Sequence, residues 1–107
     1  MAEYLQVQTA AGSEEEAERI SRDLVERRLA ACVQVVGPIS SRYHWQGDIE
    51  TAREWLCLAK TEAGRFEEVE AAIRAAHSYE ETEIVALPVS AGSAGYLAWI
   101  SDSLRSR

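Results

Sequence analysis

Lysine is almost missing from this chain of 107 residues. Lys60 is the only one, arginine supplies the rest of the eleven basic side chains, and eighteen acidic residues leave a formal charge of -7. With no polybasic stretch and the wrong sign of charge, the chain repels phosphate backbones and anionic head groups, which argues against nucleic acid and membrane surfaces as partners. Cysteine is scarce as well: Cys32 and Cys57 are too few for a disulfide framework and are expected as small buried side chains. No apolar run approaches the roughly 20 residues of a membrane span. The opening MAEYLQVQTA has neither the basic stretch nor the apolar core of a secretory leader. The expectation is a soluble, cytoplasmic protein.

Catalytic signatures are missing too. The chain has no Gly-rich phosphate loop, no H-E-x-x-H and no nucleophile motif with a partner His, so neither an enzyme nor an organic cofactor is expected. EWLCLAK, the stretch that would have to serve as an RNA-reading strand, lacks the stacking aromatics such strands carry.

What is present is periodicity. YLQVQT alternates as a half-buried strand, and AAG follows as its end. Ser13 and Glu16 have the spacing of a capping box, and Ala17, Ile20, Leu24 and Val25 continue at helical intervals, predicting a helix from about Ser13 to Arg28. Cys32 to Tyr43 is rich in Val, Ile and Ser, with Gly37-Pro38 marking a bulge or bend. Gln46-Gly47 is turn chemistry, and Glu54 to Thr61 is strand again, so the two form a hairpin. Phe66, Val69, Ile73 and Ala76 mark a second helix that ends near His77. Glu83 to Val89 is a short strand, and Tyr96 to Leu104 a short terminal helix. No linker or repeat divides residues 1–107. The order βαββαβ, with a long hairpin between the second and third strands and a helical tail, is that of an α+β ferredoxin-like sandwich in a single domain.

One length exceeds what a lone domain of this kind covers. A hairpin arm of a dozen residues is about 40 Å long at ~3.3 Å per residue, whereas the first helix is about 24 Å at ~1.5 Å per residue. The hairpin overhangs its helices, and its outer part carries Tyr43, Trp45 and Trp55. An apolar strand pair left in water invites edge pairing, so a partner subunit is expected to cover it.

Two groups of residues carry chemistry. His77 with Glu80, Glu81 and Glu83 combines imidazole and carboxylate, a donor set that suits Cu(II) or Zn(II). The same residues also make sense as a polar junction, since an imidazole at a helix C-terminus is favoured by the dipole alone. Tyr43, Trp45, Glu54, Lys60, Tyr79 and Trp99 form the second group. They read either as core and interface packing or as the lining of a ligand cleft between subunits, with Lys60 free to pair Glu54.

RLAACVQVVGPISSRYHWQGDIE from Arg28, Lys60-Thr61, HSYEETEI from His77 and YLAWI from Tyr96 together resemble the CutA family of divalent-cation tolerance proteins, over nearly the whole chain. The resemblance implies a cytoplasmic homotrimer of ferredoxin-like subunits, with an architecture like that of the trimeric PII signalling proteins, and a role in copper tolerance and copper binding. It makes Cys32 a second candidate metal ligand beside His77, Glu80 and Glu83. Cys32 and His77 are expected at opposite ends of a subunit, so only a contact between subunits could join them. Ser78 and Thr82 stand where the family usually has prolines, and Ala10-Ala11-Gly12 where a proline is common. The competing function is a small-molecule sensor that acts through an unidentified protein partner.

Overall fold

A computed structural model describes residues 3–105. Its elements are β1 (Tyr4–Ala11), α1 (Glu14–Glu26), β2 (Cys32–Trp45), β3 (Asp48–Glu62), a 3-10 turn (Ala63–Arg65), α2 (Phe66–Ala76), β4 (Val85–Pro88) and α3 (Ala94–Ser103). The four strands form one sheet in the order β2-β3-β1-β4, every neighbouring pair antiparallel. This is the ferredoxin-like order expected from the sequence. Among the described residues no helix is long and apolar enough to cross a membrane.

The core lies between the helices and the sheet. Ile20 and Leu24 of α1 and Val69 and Ile73 of α2 meet Val7, Cys57 and Ala59 from the central strands, each at most 1% exposed. β1 does not end at Thr9, as AAG suggested. Ala10 and Ala11 continue it, opposite Leu56 and Trp55, and both are buried. Two small side chains let the strand run on beneath the helices, and the break comes at Gly12-Ser13.

Ser13 caps α1, its hydroxyl accepting the Glu16 N–H at 3.1 Å. At the other end Arg28 takes a left-handed φ of 56°. Its N–H reaches Val25 O and that of Leu29 reaches Leu24 O, which satisfies the last helical carbonyls and turns the chain into β2.

The hairpin is longer than expected, with β3 starting at Asp48 rather than Glu54. Gln46 and Gly47 both have positive φ, the turn whose twist matches that of the strands it joins. Between Val36 and Ile39 three steps of β2 face two of β3, a bulge at Gly37-Pro38. Counting from the turn without that bulge sets Cys57 opposite Val36; the extra residue moves its partner to Val35. Cys57 is buried, and burial pushes its thiol up to about 11, with Glu18 and Glu16 adding to the effect. Both cysteines are free. β4, at four residues, is shorter than the Glu83–Val89 strand expected.

Candidate functional site: an acidic cleft beside the hairpin

His77 caps α2 and turns the chain out of it in extended conformation. Its side chain is fully buried, wedged between β1 and α1. Nε2 lies 2.7 Å from Ala10 O, an acceptor, so that nitrogen carries hydrogen. Nδ1 accepts the Tyr79 N–H at 3.1 Å and lies 3.2 Å from Glu16 Oε2. With hydrogen on Nε2 the ring ties strand and loop together.

Glu16, read from its spacing as the reciprocal half of a capping box, is used elsewhere. Its carboxylate accepts the Ser78 N–H at 3.0 Å and the Ser78 hydroxyl at 2.7 Å. Burial pushes its pKa up, but the two Ser78 hydrogen bonds and the nearby His77 and Arg19 outweigh this and hold it below the usual carboxylate value.

From this junction the chain reaches the hairpin. Tyr79 stacks obliquely on His77, ring centroids 4.8 Å apart, and its hydroxyl donates to Glu54 Oε2 at 2.9 Å. Burial, and then the carboxylate of Glu54, push the phenol up to about 12, so it remains a donor at any physiological pH. Gly12 leaves room for it: a Cβ there would stand 2.8 Å from Tyr79 Oη. Beyond Tyr79 the loop and the outer hairpin enclose an open cleft of about 910 Å³. Tyr43, Trp45, Glu54, Tyr79, Glu80 and Glu83 all line it, and so does Glu81.

The two groups seen in the sequence are thus redistributed. Lys60 and Trp99 lie away from the cleft. Lys60 pairs with Cys32 across the sheet, its Nζ donating to Gln34 Oε1 at 3.2 Å, and it sits six residues along β3 from Glu54, too far to be its counter-ion. Trp99 stacks on Tyr96 in α3, and the Tyr96 hydroxyl lies 3.5 Å from Cys32 Sγ. Cys32 and His77 do stand apart, at strand positions level with Gln6 and Ala10 of β1.

The metal set of His77, Cys32, Glu80 and Glu83 does not converge within one chain. Both nitrogens of His77 are engaged, Cys32 is remote, and Glu83 accepts from Gln8 Nε2 at 3.0 Å. Among the described residues no three His, Cys, Asp or Glu side chains are grouped to hold a metal ion. The donors of a single chain do not fit a metal centre. Sequence reasoning missed Gln8 and Ser78 as loop ties, and Arg42, His44 and Glu50 as cleft lining. Strand alternation would have set Arg42 and His44 on the face opposite Tyr43 and Trp45, so no sequence signal marked them as lining.

Fold and site define a ferredoxin-like sandwich with an overlong hairpin and an acidic, aromatic cleft along its outer half. The family model described as CutA1 divalent ion tolerance protein matches residues 5–103. The divalent-cation tolerance protein CutA of Thermus thermophilus is 43% identical over 91 residues, spanning 85% of this chain and 88% of the relative. A CutA homolog of Xenopus laevis is 41% identical over 86 residues, 80% of this chain but 57% of the relative, so the chain spans little more than half of that longer protein. The structure of a protein described as the periplasmic divalent cation tolerance protein CutA of Archaeoglobus fulgidus superposes with a TM-score of 0.91 at 39% identity, covering 98% of this chain and all of the other. The chain belongs to the CutA family of divalent-cation tolerance proteins. These matches do not favour the sensor alternative.

Proposed function

We propose that this protein serves divalent-cation tolerance as a cytoplasmic homotrimer assembled through its long hairpins, without enzymatic activity, and that Cys32 is its contact with copper. The observation that carries the assembly is the shape of the chain. It extends 45 × 26 × 22 Å, with Ile49 67% exposed near the hairpin tip. β2 is a bare edge along fourteen residues, and β4, at the other edge, exposes Val85 and Leu87. Edges of this length and polarity are covered in stable proteins, and a closed ring of three copies leaves none of the long edges in water.

Copper is assigned to Cys32 because its sulfur is a soft donor, free and partly exposed on an edge strand, while the ring of His77 is closed on both sides. Light scattering after size-exclusion chromatography tests the assembly, where a stable monomer at micromolar concentration contradicts it. Copper titration of the parent, Cys32→Ser and His77→Ala tests the contact: Cys32→Ser is expected to lose affinity and His77→Ala to keep it. Fractionation of cells tests the compartment.

A further inference from the structure

One nitrogen of His77 stands between a donor and an acceptor that it cannot serve at once. Nδ1 lies 3.1 Å from the Tyr79 N and 3.2 Å from Glu16 Oε2. Without hydrogen it accepts from the Tyr79 N–H. With hydrogen it donates to Glu16, and the Tyr79 N–H loses its acceptor and faces a cation. The other nitrogen fixes the ring in both cases: Nε2, 2.7 Å from Ala10 O, carries hydrogen in either charge state, so only the Nδ1 side changes partners. The His77 side chain is fully buried and that of Glu16 is 7% exposed, so bulk water does not stand in for a lost partner.

We propose that His77 is a proton-operated switch: on gaining its second proton the imidazole exchanges the Tyr79 backbone for the Glu16 carboxylate and loosens the hold of Tyr79 on Glu54. Several charged and titratable groups face this junction. From α1 come Glu16 and, beyond it, Arg19; from the loop comes Tyr79, its ring centroid 4.8 Å from that of His77. From the hairpin come Glu54 and Tyr43, both acting through Tyr79, and Cys57, which lies within the influence of Glu16. β1 brings only the Ala10 carbonyl, and Arg74 of α2 is turned to Glu70 at 3.2 Å. Burial raises the pKa of Glu16, but the Ser78 bonds, His77 and Arg19 hold it below 4.5, and the Tyr79 phenol is pushed up to about 12. These two keep their charge states near neutrality, and the imidazole is the group that changes.

Ser78 stays on Glu16 in both states, since each carboxylate oxygen accepts more than one hydrogen. The release therefore begins at Tyr79. Its N–H goes to Nδ1 and its hydroxyl to Glu54 Oε2 at 2.9 Å, and it fits so closely that a Cβ on Gly12 would stand 2.8 Å from Oη. A backbone shift at Tyr79 thus strains the Glu54 bond directly. Every group in the exchange belongs to one chain, so the switch needs neither a bound metal nor a second subunit.

Nitrogen NMR of the isotopically labelled full chain, titrated from about pH 8 to about pH 5, tests this. Nδ1 is expected to gain hydrogen while Nε2 keeps its own. Protection of the Tyr79 N–H against hydrogen exchange should fall about tenfold with the same midpoint, while β1 and β3 stay protected. Glu16→Gln keeps the shape but removes the charge that pairs with the imidazolium, and should move both midpoints together to lower pH by about one unit. In His77→Gln the amide at position 79 should not respond to pH over this range; if that variant does not fold, the parent and Glu16→Gln carry the test. The proposal is overturned if Nδ1 lacks hydrogen throughout the range or carries it throughout. Tyr79 protection that does not follow the ring, an unmoved midpoint in Glu16→Gln, or simultaneous loss of protection in β1 and β3 overturns it equally.

Discussion

At the scale of single residues, Glu16 ties together three parts of the chain. Its backbone N–H is capped by Ser13, while its carboxylate holds Ser78 and stands beside His77. Its pKa lies below the ordinary value of 4.5, so the stability it contributes is fully present above that value and is lost as the pH falls through the folded pKa. Glu62 acts in the same sense, its pKa lowered chiefly by the Ser101 hydroxyl and also by Arg105. The melting temperature is therefore expected to fall on acidification below about pH 4.5. Glu16→Gln should cost about 1–3 kcal/mol at pH 7 and flatten that acid limb, which thermal melts of both proteins between pH 3 and pH 7 would reveal. Gly37 is constrained in another way. A Cβ there would stand 2.4 Å from Trp55 Cδ1, so Gly37→Ala forces the indole aside. A loss of about 1–3 kcal/mol is expected in chemical denaturation, as for other overpacked sites; an unchanged midpoint would mean that the bulge relaxes freely.

At the scale of elements, the segment between α2 and β4 shows how hydrogen bonds replace ring stiffness. The family resemblance leads prolines to be expected at the positions of Ser78 and Thr82. Ser78 uses both its N–H and its hydroxyl on Glu16, and the Thr82 hydroxyl donates to Tyr79 O at 3.3 Å. A proline at 78 would lack the N–H that one of these bonds requires. The loop that presents Tyr79 to Glu54 is thus anchored from α1, and α1 depends in turn on its cap. Ser13→Ala is expected to cost about 1 kcal/mol and to raise hydrogen exchange in the first turn of α1, with little effect on the strands. Exchange that rises equally in β1 and β3 would show instead that the helix and sheet open as one unit.

At the scale of the whole molecule, the apolar side chains fall into two classes that mutation should separate. Ile20 is 1% exposed in the core of a single chain, and Ile20→Ala should cost about 2–5 kcal/mol whatever the assembly state. Trp45 is 41% exposed in the chain alone. In a trimer formed through the hairpins, Trp45→Ala loses most of its contacts at the interface. Its effect should appear as a melting temperature that depends more steeply on protein concentration, and as dissociation at concentrations where the parent stays assembled. Equal losses at all concentrations would place Trp45 outside the interface.

The sequence by itself determined the element order, the hairpin with its turn and bulge, and the sandwich class. Each rests on local physics: alternation, helical spacing, and the dihedral demands of Gln46-Gly47 and Gly37-Pro38. It also made the chain's length and charge speak to partners. Only the tertiary structure decided which polar residues meet. Glu16 sits 62 residues from Ser78, and Glu54 is 25 from Tyr79, so no periodicity links them. Lys60, a lone lysine at a strand end, could pair with Glu54 on charge alone, but an extended strand carries the two roughly 20 Å apart at about 3.3 Å per residue. His77 read either as a metal donor or as part of a polar junction, because spacing does not report burial. Packing of α2 against β1 and α1 encloses the ring and closes its two nitrogens, a consequence of long-range contact that no local pattern encodes.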